Sequence, residues 1–322
     1  MAGNLLQRSV GVGLLALFAL LPADPAAAGA PQRFVVFGDS LSDPGNAFVL
    51  LRDVAVPPFS LIPNAPYARG GLHFSNGATW VEQLSVFDDA IPSAGPALLH
   101  PVLFSNYAVG GTRARTPTPP ERFFDLSTQV GLFLRDFGGQ APADALYIVF
   151  VGGNDVRDAL VAAIAPDPNA PTSGEILQAA LTAIRTNLLA LHAAGAQNFL
   201  VANAPNLGLA PAVRLFGPVA QGAATDLAAQ FNDGLEAILL ELRLRGAHVT
   251  PLDVFLILNE IVKAPGDFGL TEVTQPCIAV DTKVHPFCTN PGTFLFWDGI
   301  HPTVAGHRIL AERARAALNP TP

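Results

Sequence analysis

Three side chains in this sequence have the types and the setting that nucleophilic catalysis needs. Ser40 follows Gly38 just after a short apolar run, while Asp298 and His301 stand three residues apart near the other end of the chain. A serine becomes a nucleophile when a histidine takes its proton and a carboxylate orients that histidine. Their spacing lets Asp298 and His301 share one face of a single turn. The three residues predict acyl-transfer chemistry, provided that the fold brings them together.

Acyl transfer also needs hydrogen-bond donors for the negative charge that forms on the substrate oxygen. Gly110 and Gly111 can each offer a backbone N–H with no side chain to block a substrate. Asn154, which follows two glycines, can offer its side-chain amide, and we expect the next residue, Asp155, to cap the helix that it opens. The residues alone leave open which glycine would serve.

The predicted elements place most of these residues at one edge of a sheet. Short, apolar, β-prone runs alternate with helical patterns along the chain. The predicted strands cover residues 33–37, 101–107, 145–151, 198–202 and 247–252. The predicted helices cover residues 47–52, 78–84, 127–137, 172–194, 219–245, 255–263 and 303–318. The spacing of Thr172 and Glu175 is that of a capping box and predicts the start of the fourth of these helices. This alternation is typical of a parallel sheet with helices on both faces and ligands at the carboxyl ends of its strands, so we expect one α/β domain over residues 31–320.

The composition favours an exported protein without a nucleic-acid partner. The chain has 322 residues, 50% of them hydrophobic, and its formal net charge of −8 argues against nucleic acid and anionic membrane surfaces as partners. Residues 1–28 combine a basic residue, a short apolar run and an Ala-Ala-Ala stretch, as in a signal peptide. We therefore expect a secreted or periplasmic protein, with an uncleaved anchor or a buried N-terminal helix as the alternatives for this segment.

The two cysteines, Cys277 and Cys288, lie close together in an irregular stretch. An even number of cysteines in an exported protein predicts a disulfide between them. His285 lies between them, but no fourth ligand is evident, so we expect no metal site here.

The order of the polar, glycine-rich motifs resembles that of the SGNH, or GDSL, family of esterases and lipases. Four stretches match the family's first, second, third and fifth blocks: Gly38-Asp39-Ser40-Leu41-Ser42-Asp43, Asn106-Tyr107-Ala108-Val109-Gly110-Gly111, Gly152-Gly153-Asn154-Asp155 and Asp298-Gly299-Ile300-His301-Pro302-Thr303. A further stretch, residues 74–80, is similar to the larger plant-type and secreted bacterial members. The resemblance spans nearly the whole chain after the predicted signal peptide.

The resemblance implies a flavodoxin-like, three-layer α/β/α fold and a Ser–His–Asp hydrolase that uses no cofactor. It assigns the catalytic roles to Ser40, Asp298 and His301. It also implies an oxyanion hole made by the backbone N–H of Ser40, a glycine of the second block and Asn154. We expect that glycine to be Gly111, with Gly110 as the alternative.

The expected activity is hydrolysis of a small or lipid carboxylic ester with an apolar acyl chain, by a monomer that contacts lipid surfaces transiently. A phospholipase or a choline-ester hydrolase with the same mechanism is the alternative. More distant alternatives are a binding module with an inactive site and a metallophosphoesterase, whose ligands would be Asp39, Asp43, Asn154, Asp298 and His301. The phenylalanines that could contribute to an acyl pocket are Phe123, Phe124, Phe255, Phe294 and Phe296.

Overall fold

Four parallel strands form the central sheet of this protein, in a computed structural model that describes residues 33–51, 73–87, 90–117, 125–278 and 287–320. Across the sheet they lie in the order β1 (Phe34–Gly38), β2 (Leu146–Phe150), β3 (Asn198–Ala202) and β4 (His248–Leu252). Their first residues pair directly with one another, so their carboxyl ends lie along one edge. The described residues belong to one compact unit, Pro31–Pro322, and the predicted signal peptide lies outside them.

Helices connect the strands and cover both faces of the sheet. In chain order they are α1 (Asn46–Leu51), α2 (Trp80–Phe87), α3 (Leu126–Asp136), α4 (Gly153–Ile164), α5 (Ser173–Ala193), α6 (Pro211–Arg214), α7 (Gly217–Leu244), α8 (Val254–Lys263) and α9 (Val304–Leu318). Val35 and Phe37 of β1 pack into a core with α3, α4, α5 and α7, whereas Phe34 and Val36 pack into a core with α2, α8 and α9. Successive side chains of a strand point to opposite faces, so burial on both sides requires a helical layer on each. The predicted three-layer α/β/α fold is confirmed.

The prediction of a strand over residues 101–107 is wrong for most of that segment. Pro101 has no N–H to give to a ladder, and Val102 has a φ of 73°, so the chain turns here instead of extending. Residues 105–107 do lie along β1: the N–H of Val36 donates to the Ser105 carbonyl at 2.9 Å, and the N–H of Tyr107 donates to the Val36 carbonyl at 2.8 Å. This short contact still carries the following glycine-rich loop to the carboxyl end of β1.

The predicted helices are present, and their ends lie within three residues of the predicted ones. The capping box predicted for α5 is present: the N–H of Thr172 donates to the carboxylate of Glu175 at 2.8 Å, and the N–H of Glu175 donates to the hydroxyl of Thr172 at 3.4 Å. In the part of the chain that the structure describes, no helix is both long and apolar enough to cross a membrane.

A second small sheet and a disulfide brace the segment that leads to Asp298. In this sheet β5 (Glu272–Pro276) pairs in parallel with β6 (Phe294–Phe296), and the sequence predicted neither strand. The predicted disulfide between Cys277 and Cys288 is confirmed. The N–H of Cys277 donates to the last carbonyl of β6 at 2.9 Å, which ties the disulfide to the backbone just before Asp298.

A buried histidine joins α9 to the start of α2. His307 is buried, and its Nδ1 accepts the backbone N–H of Trp80 at 3.3 Å. Only an unprotonated ring nitrogen can accept this hydrogen bond. Burial lowers the pKa of His307 to about 3, and the nearby His301 and His73 add to the effect. The histidine therefore stays neutral in the folded protein over a range in which the unfolded chain takes up a proton.

We predict that His307→Gln makes the protein less sensitive to acid. Between a pKa of roughly 6.5 in the unfolded chain and about 3 in the folded protein, only the unfolded chain binds the proton. Each unit of falling pH in that window therefore lowers the free energy of unfolding by up to about 1.4 kcal/mol. A glutamine can accept the same N–H without titrating, so urea unfolding at pH 7, 5.5 and 4 should show a shallower loss of stability for the variant. Parallel pH profiles for the two proteins would contradict this explanation.

Candidate active site

The turn after β1 presents Ser40 at the carboxyl edge of the sheet. The carboxylate of Asp39 accepts the N–H of Leu41 at 3.0 Å, and the Asp39 carbonyl accepts the N–H of Ser42 at 3.1 Å. Asp39 thus stabilises the turn. An aspartate side chain that accepts the backbone N–H two residues later is a common feature of such turns. Burial raises the pKa of the Asp39 carboxyl to about 6, although the Leu41 N–H opposes the effect.

His301 lies between Ser40 and Asp298 in a continuous series of hydrogen bonds. Its Nε2 is 2.8 Å from Ser40 Oγ, and its Nδ1 is 2.7 Å from Asp298 Oδ2. An ionised carboxylate can only accept, so Nδ1 carries the proton and, in the neutral ring, Nε2 accepts from the serine hydroxyl. All three side chains are buried. The predicted residues are therefore brought together in the order that proton transfer from serine to histidine requires.

The backbone of the turn that begins at Asp298 holds the carboxylate of this residue in place. Asp298 Oδ1 accepts the backbone N–H groups of Ile300 at 2.8 Å and His301 at 2.7 Å. Burial of Asp298 opposes its ionisation, but the charge of His301 and these hydrogen bonds outweigh it and lower the pKa of Asp298 below its ordinary value. The carboxylate stays ionised and oriented toward the imidazole.

Residues just before α2 hold the same turn from the other side. Ser75 Oγ donates to the carbonyl of Pro302 at 2.9 Å, and the N–H of Val304 donates to Asn76 Oδ1 at 2.7 Å. The position of His301 thus depends on a segment more than two hundred residues earlier in the chain.

Asp43 joins the turn after β1 to the loop that carries Gly110. Its carboxylate accepts three consecutive backbone N–H groups at the start of α1, at 2.5 to 3.0 Å, and the N–H of Gly110 at 2.8 Å. Burial raises the pKa of Asp43 to about 6 against the opposing effect of these donors. Asp43 thus caps the start of α1, and its bond to Gly110 is one that no local sequence pattern indicates.

Two buried asparagines extend this connection. Asn46 Nδ2 donates to the carbonyls of Asn106 and Ala108, both at 2.8 Å, and Asn106 Nδ2 donates to the Ser42 carbonyl at 2.8 Å. Side-chain amides that satisfy buried carbonyls fix the relative position of the two loops.

Gly110 is required because an aromatic ring occupies the space of a side chain. A Cβ added there would lie 2.0 Å from Cζ of Phe74, which is closer than any real contact. The ring of Phe74 in turn lies 5.2 Å from that of His301. A glycine here therefore lets the loop pack closely beside the histidine.

Asn154 lies in the first turn of α4 and faces the same pocket as Ser40. Its Nδ2 donates to the carbonyl of Thr112 at 2.9 Å, which orients the amide. The buried Gln129 of α3 connects this loop to β1, since it binds both backbone groups of Gly38, at 2.9 and 2.8 Å, and the hydroxyl of Thr112 at 3.0 Å. Sequence reasoning missed Gln129, because nothing local distinguishes it from a surface residue of an amphipathic helix.

Asp155 does not cap α4, contrary to the expectation from its position. It accepts the backbone N–H of Ala114 at 2.7 Å, while Gly152, with a φ of 122°, occupies the N-cap without a side-chain bond. Burial raises the pKa of Asp155 to about 7. A neighbouring carboxylate, Asp158, binds Arg113 through two hydrogen bonds of 2.9 and 3.2 Å. Both acids of α4 therefore hold the loop that follows Gly111.

The pocket at Ser40 has a polar side and an aliphatic side. Its lining residues are Asp39, Ser40, Leu41, Gly153, Asn154, Arg157, Pro205, Leu207, Ala210, Val213, Ile300 and His301. None of the phenylalanines proposed for an acyl pocket contributes to this lining; Phe123 and Phe124 lie outside the described residues, and Phe296 lines a neighbouring cavity. The wall is built instead from Leu, Ile, Val, Ala and Pro side chains.

The carboxylates that a metallophosphoesterase would use as metal ligands instead form hydrogen bonds with groups of the protein. Both oxygens of Asp43 accept backbone N–H groups, and both oxygens of Asp298 bind the turn or the imidazole. Within the described ranges, no group of three or more His, Cys, Asp or Glu side chains is arranged to hold a metal ion. The geometry therefore favours a serine-based reaction over metal-assisted chemistry.

The chain is similar to several known proteins. An uncharacterised Pseudomonas putida protein from a trpE–trpG intergenic region is 29% identical over 95% of this chain, which spans 52% of that protein's length. A GDSL esterase/lipase of Arabidopsis thaliana is 27% identical over 91% of this chain and 92% of its own. Among solved structures, an acetylxylan esterase of Geobacillus stearothermophilus has a TM-score of 0.48 and 16% identity over 90% of this chain and 95% of its own.

The family model described as GDSL-like lipase/acylhydrolase matches residues 34–314, which include every residue of the site described above. The resemblance that the motifs predicted is thereby confirmed. The chain belongs to the GDSL-like lipase/acylhydrolase family.

Proposed function

We propose that this chain hydrolyses carboxylic esters through an acyl-enzyme formed on Ser40. The observation that carries the proposal is the buried series of hydrogen bonds from Ser40 through His301 to Asp298, at 2.8 and 2.7 Å. As Ser40 Oγ attacks the ester carbonyl, its proton passes to His301 Nε2, and the ionised Asp298 stabilises the imidazolium that forms. The imidazolium then protonates the leaving alcohol. The neutral His301 next takes a proton from water, whose oxygen attacks the acyl-enzyme, and it returns that proton to Ser40 Oγ as the acid leaves.

The proposed oxyanion hole consists of the backbone N–H groups of Ser40 and Gly111 and the side-chain amide of Asn154. Gly111 is favoured over Gly110, because the Gly110 N–H already donates to Asp43. One N–H of the Asn154 amide binds Thr112, so the other remains for a substrate oxygen. Fixed donors of this kind stabilise the transition state without reorganisation.

The charge at the pocket bears on the alternative substrates. Arg157 is the cation among the lining residues, and it contacts Asp158 at 3.2 Å with a half-buried side chain. A quaternary ammonium bound here would be repelled by this guanidinium, whereas a phosphate would be attracted. Asp158, which pairs with Arg157, and Asp39 in the same lining offset this charge, so Arg157 supports a phospholipase as the second candidate without excluding a choline-ester hydrolase.

We infer that the protein is exported and is secreted or periplasmic. The signal-peptide pattern of residues 1–28 and the disulfide between Cys277 and Cys288 both support export to an oxidising compartment. Sequencing the N-terminus of the protein recovered from the periplasm or medium should find a start shortly after residue 28.

Replacing Asn154 tests the proposed reaction. Asn154→Ala should lower kcat on p-nitrophenyl butyrate by about 10²–10³-fold with little change in KM, since the donor acts on charge that develops only in the transition state. The matched control is Asn169→Ala, at an exposed position beyond the far end of α4, which should behave as wild type. A chelator should leave wild-type hydrolysis unchanged, which separates this reaction from metal-dependent chemistry. Unchanged turnover of Asn154→Ala would remove the residue from the mechanism.

Exposed apolar side chains beside the pocket support transient contact with a lipid surface. Leu215, Phe216 and Val219 are 88%, 69% and 84% exposed, and they follow closely on Val213 of the pocket wall. The net charge of −8 favours a neutral or zwitterionic surface over an anionic one. This apolar patch begins two residues after Val213, which lines the pocket in which the ester would bind.

Serine substitutions at Leu215, Phe216 and Val219 should weaken sedimentation of the protein with phosphatidylcholine vesicles several-fold. Leu244 offers a control, because it is 80% exposed at the other end of α7, about 40 Å from its start at 1.5 Å per residue. Leu244→Ser should sediment as wild type does. Equal vesicle binding by the triple variant and the wild type would rule out the apolar patch as the contact surface.

A further inference from the structure

One side of the pocket at Ser40 contains a carboxylate oxygen that the proposed reaction does not use. Asp39 lines the pocket and is only 3% exposed. Its Oδ1 accepts the N–H of Leu41 at 3.0 Å, whereas Oδ2 accepts no hydrogen bond from another residue in the part of the chain that the structure describes. A buried acceptor without a donor is unfavourable. The lone pairs of Oδ2 are therefore available to a group that enters the pocket.

Oδ2 of Asp39 faces a space above Gly153, at the start of α4. Gly153 also lines the pocket. A Cβ added to this glycine would have Asp39 Oδ2, at 3.8 Å, as its only neighbour within 4 Å among the described residues outside its own helix and the adjoining positions. The glycine thus leaves room for a substrate group next to the carboxylate.

Arg157 lies one turn farther along α4, on the same face as Gly153. Residues four apart on a helix are neighbours on its surface, and Arg157 is another residue of the pocket lining. Burial raises the pKa of the Asp39 carboxyl, while the N–H of Leu41 and the charges of His301 and Arg157 lower it. The guanidinium is therefore near the carboxylate, although no ion pair joins these two side chains.

The guanidinium has N–H groups left for a substrate. Arg157 carries five N–H donors, and its recorded hydrogen bond is a single one, to Asp158 Oδ1 at 3.2 Å. The space above Gly153 therefore has a hydrogen-bond acceptor on one side and donors on the other. Apart from these groups and from Ser40, Asn154 and His301, the pocket lining is aliphatic.

A hydroxyl group matches this pair of neighbours, because it donates one hydrogen bond and accepts others. A phosphate held between them would face the carboxylate, and an ammonium would face the guanidinium, each a like charge at short range. A methyl group would leave both polar groups unpaired. The chemistry of the space therefore selects a neutral group that both donates and accepts.

We propose that Asp39 and Arg157 form a hydroxyl site, in which a hydroxyl group of the substrate donates to Asp39 Oδ2 and accepts from the Arg157 guanidinium. The inference rests on the proposed ester hydrolysis and adds the substrate class, which is an ester with a hydroxyl group close to the ester linkage, on the acid or on the alcohol. Asp39 and Ser40 are consecutive, with Cα atoms about 3.8 Å apart. A hydroxyl bound here therefore lies within a few bonds of the attacked carbonyl.

Two pairs of esters that differ only in a hydroxyl or a methyl group test the site. Ethyl 3-hydroxypropanoate and ethyl butyrate carry this group on the acid, whereas 2-hydroxyethyl butyrate and propyl butyrate carry it on the alcohol. The released acid is titrated at pH 8, where Asp39, with a pKa of about 6, is ionised. For the wild type, kcat/KM of the hydroxyl ester should exceed that of its methyl partner by about ten-fold or more in at least one pair. The pair that shows the preference identifies the arm that carries the hydroxyl.

Three substitutions should remove this preference. Asp39→Asn keeps an oxygen for the Leu41 N–H but replaces the second acceptor by a donor, and Arg157→Met removes the guanidinium donors. Gly153→Ala fills the space without backbone strain, since its φ lies outside the left-handed region, and it serves if the asparagine variant does not fold. Each should lower the hydroxyl-to-methyl ratio of kcat/KM by about five-fold or more. Asp144→Asn, the same change of charge at an exposed position just before β2, is the matched control and should keep the wild-type ratio.

The outcomes separate the hydroxyl site from the proposed function. A wild type that prefers the methyl ester, or neither ester, in both pairs overturns the hydroxyl site, as does a preference that is unchanged in the folded variants. Cleavage of p-nitrophenyl butyrate but of none of these four esters also overturns the site, while the proposed hydrolysis stands. A wild type that cleaves no ester at all overturns the proposed function, and the hydroxyl site with it.

Discussion

The hydrogen bond between Ser40 Oγ and His301 Nε2 joins residues 261 positions apart, and the rest of the structure serves to hold its two ends in place. Ser40 lies on the turn after the first strand, and His301 lies on the turn before the last helix. A shift of about 1 Å at either end would break the alignment that proton transfer needs. Each turn is therefore bonded to segments remote in sequence: the His301 turn to Ser75 and Asn76, and the Ser40 turn to the loop around Asn106.

Most of the side chains that hold these turns are buried and polar, and their burial is unfavourable in free energy. Burial raises the pKa of Asp43 to about 6 and that of Asp155 to about 7, which means that the fold disfavours their charged forms. Both carboxylates nevertheless accept backbone N–H groups of the loop between Gly110 and Arg115. A buried acceptor that binds several N–H groups fixes a loop more firmly than apolar contacts do, since leaving any of the donors unpaired would be costly. The site combines rigid polar loops on one side with the aliphatic wall of the pocket on the other.

Much of this arrangement could be predicted from the sequence, because its signals are local. Continuous apolar runs bounded by glycine indicated the strands that lead to Ser40 and Asn154, the Thr172–Glu175 spacing indicated the start of α5, and the cysteine pair indicated its disulfide. The segment 101–107 was misread because its apolar residues suggested a strand, while the proline and the positive φ at Val102 dictate a turn. Gln129 and the bond from Gly110 to Asp43 could not be found, since they depend on which loops meet in three dimensions.

Covalent labelling measures the reactivity of Ser40 directly. A fluorophosphonate should modify the intact protein with one adduct per chain, and peptide mass spectrometry should place the adduct on Ser40. His301→Ala should slow the labelling by orders of magnitude, because the histidine that takes the serine proton is gone. Absence of an adduct from the folded protein, or an adduct on another residue, would contradict a site organised around an activated Ser40.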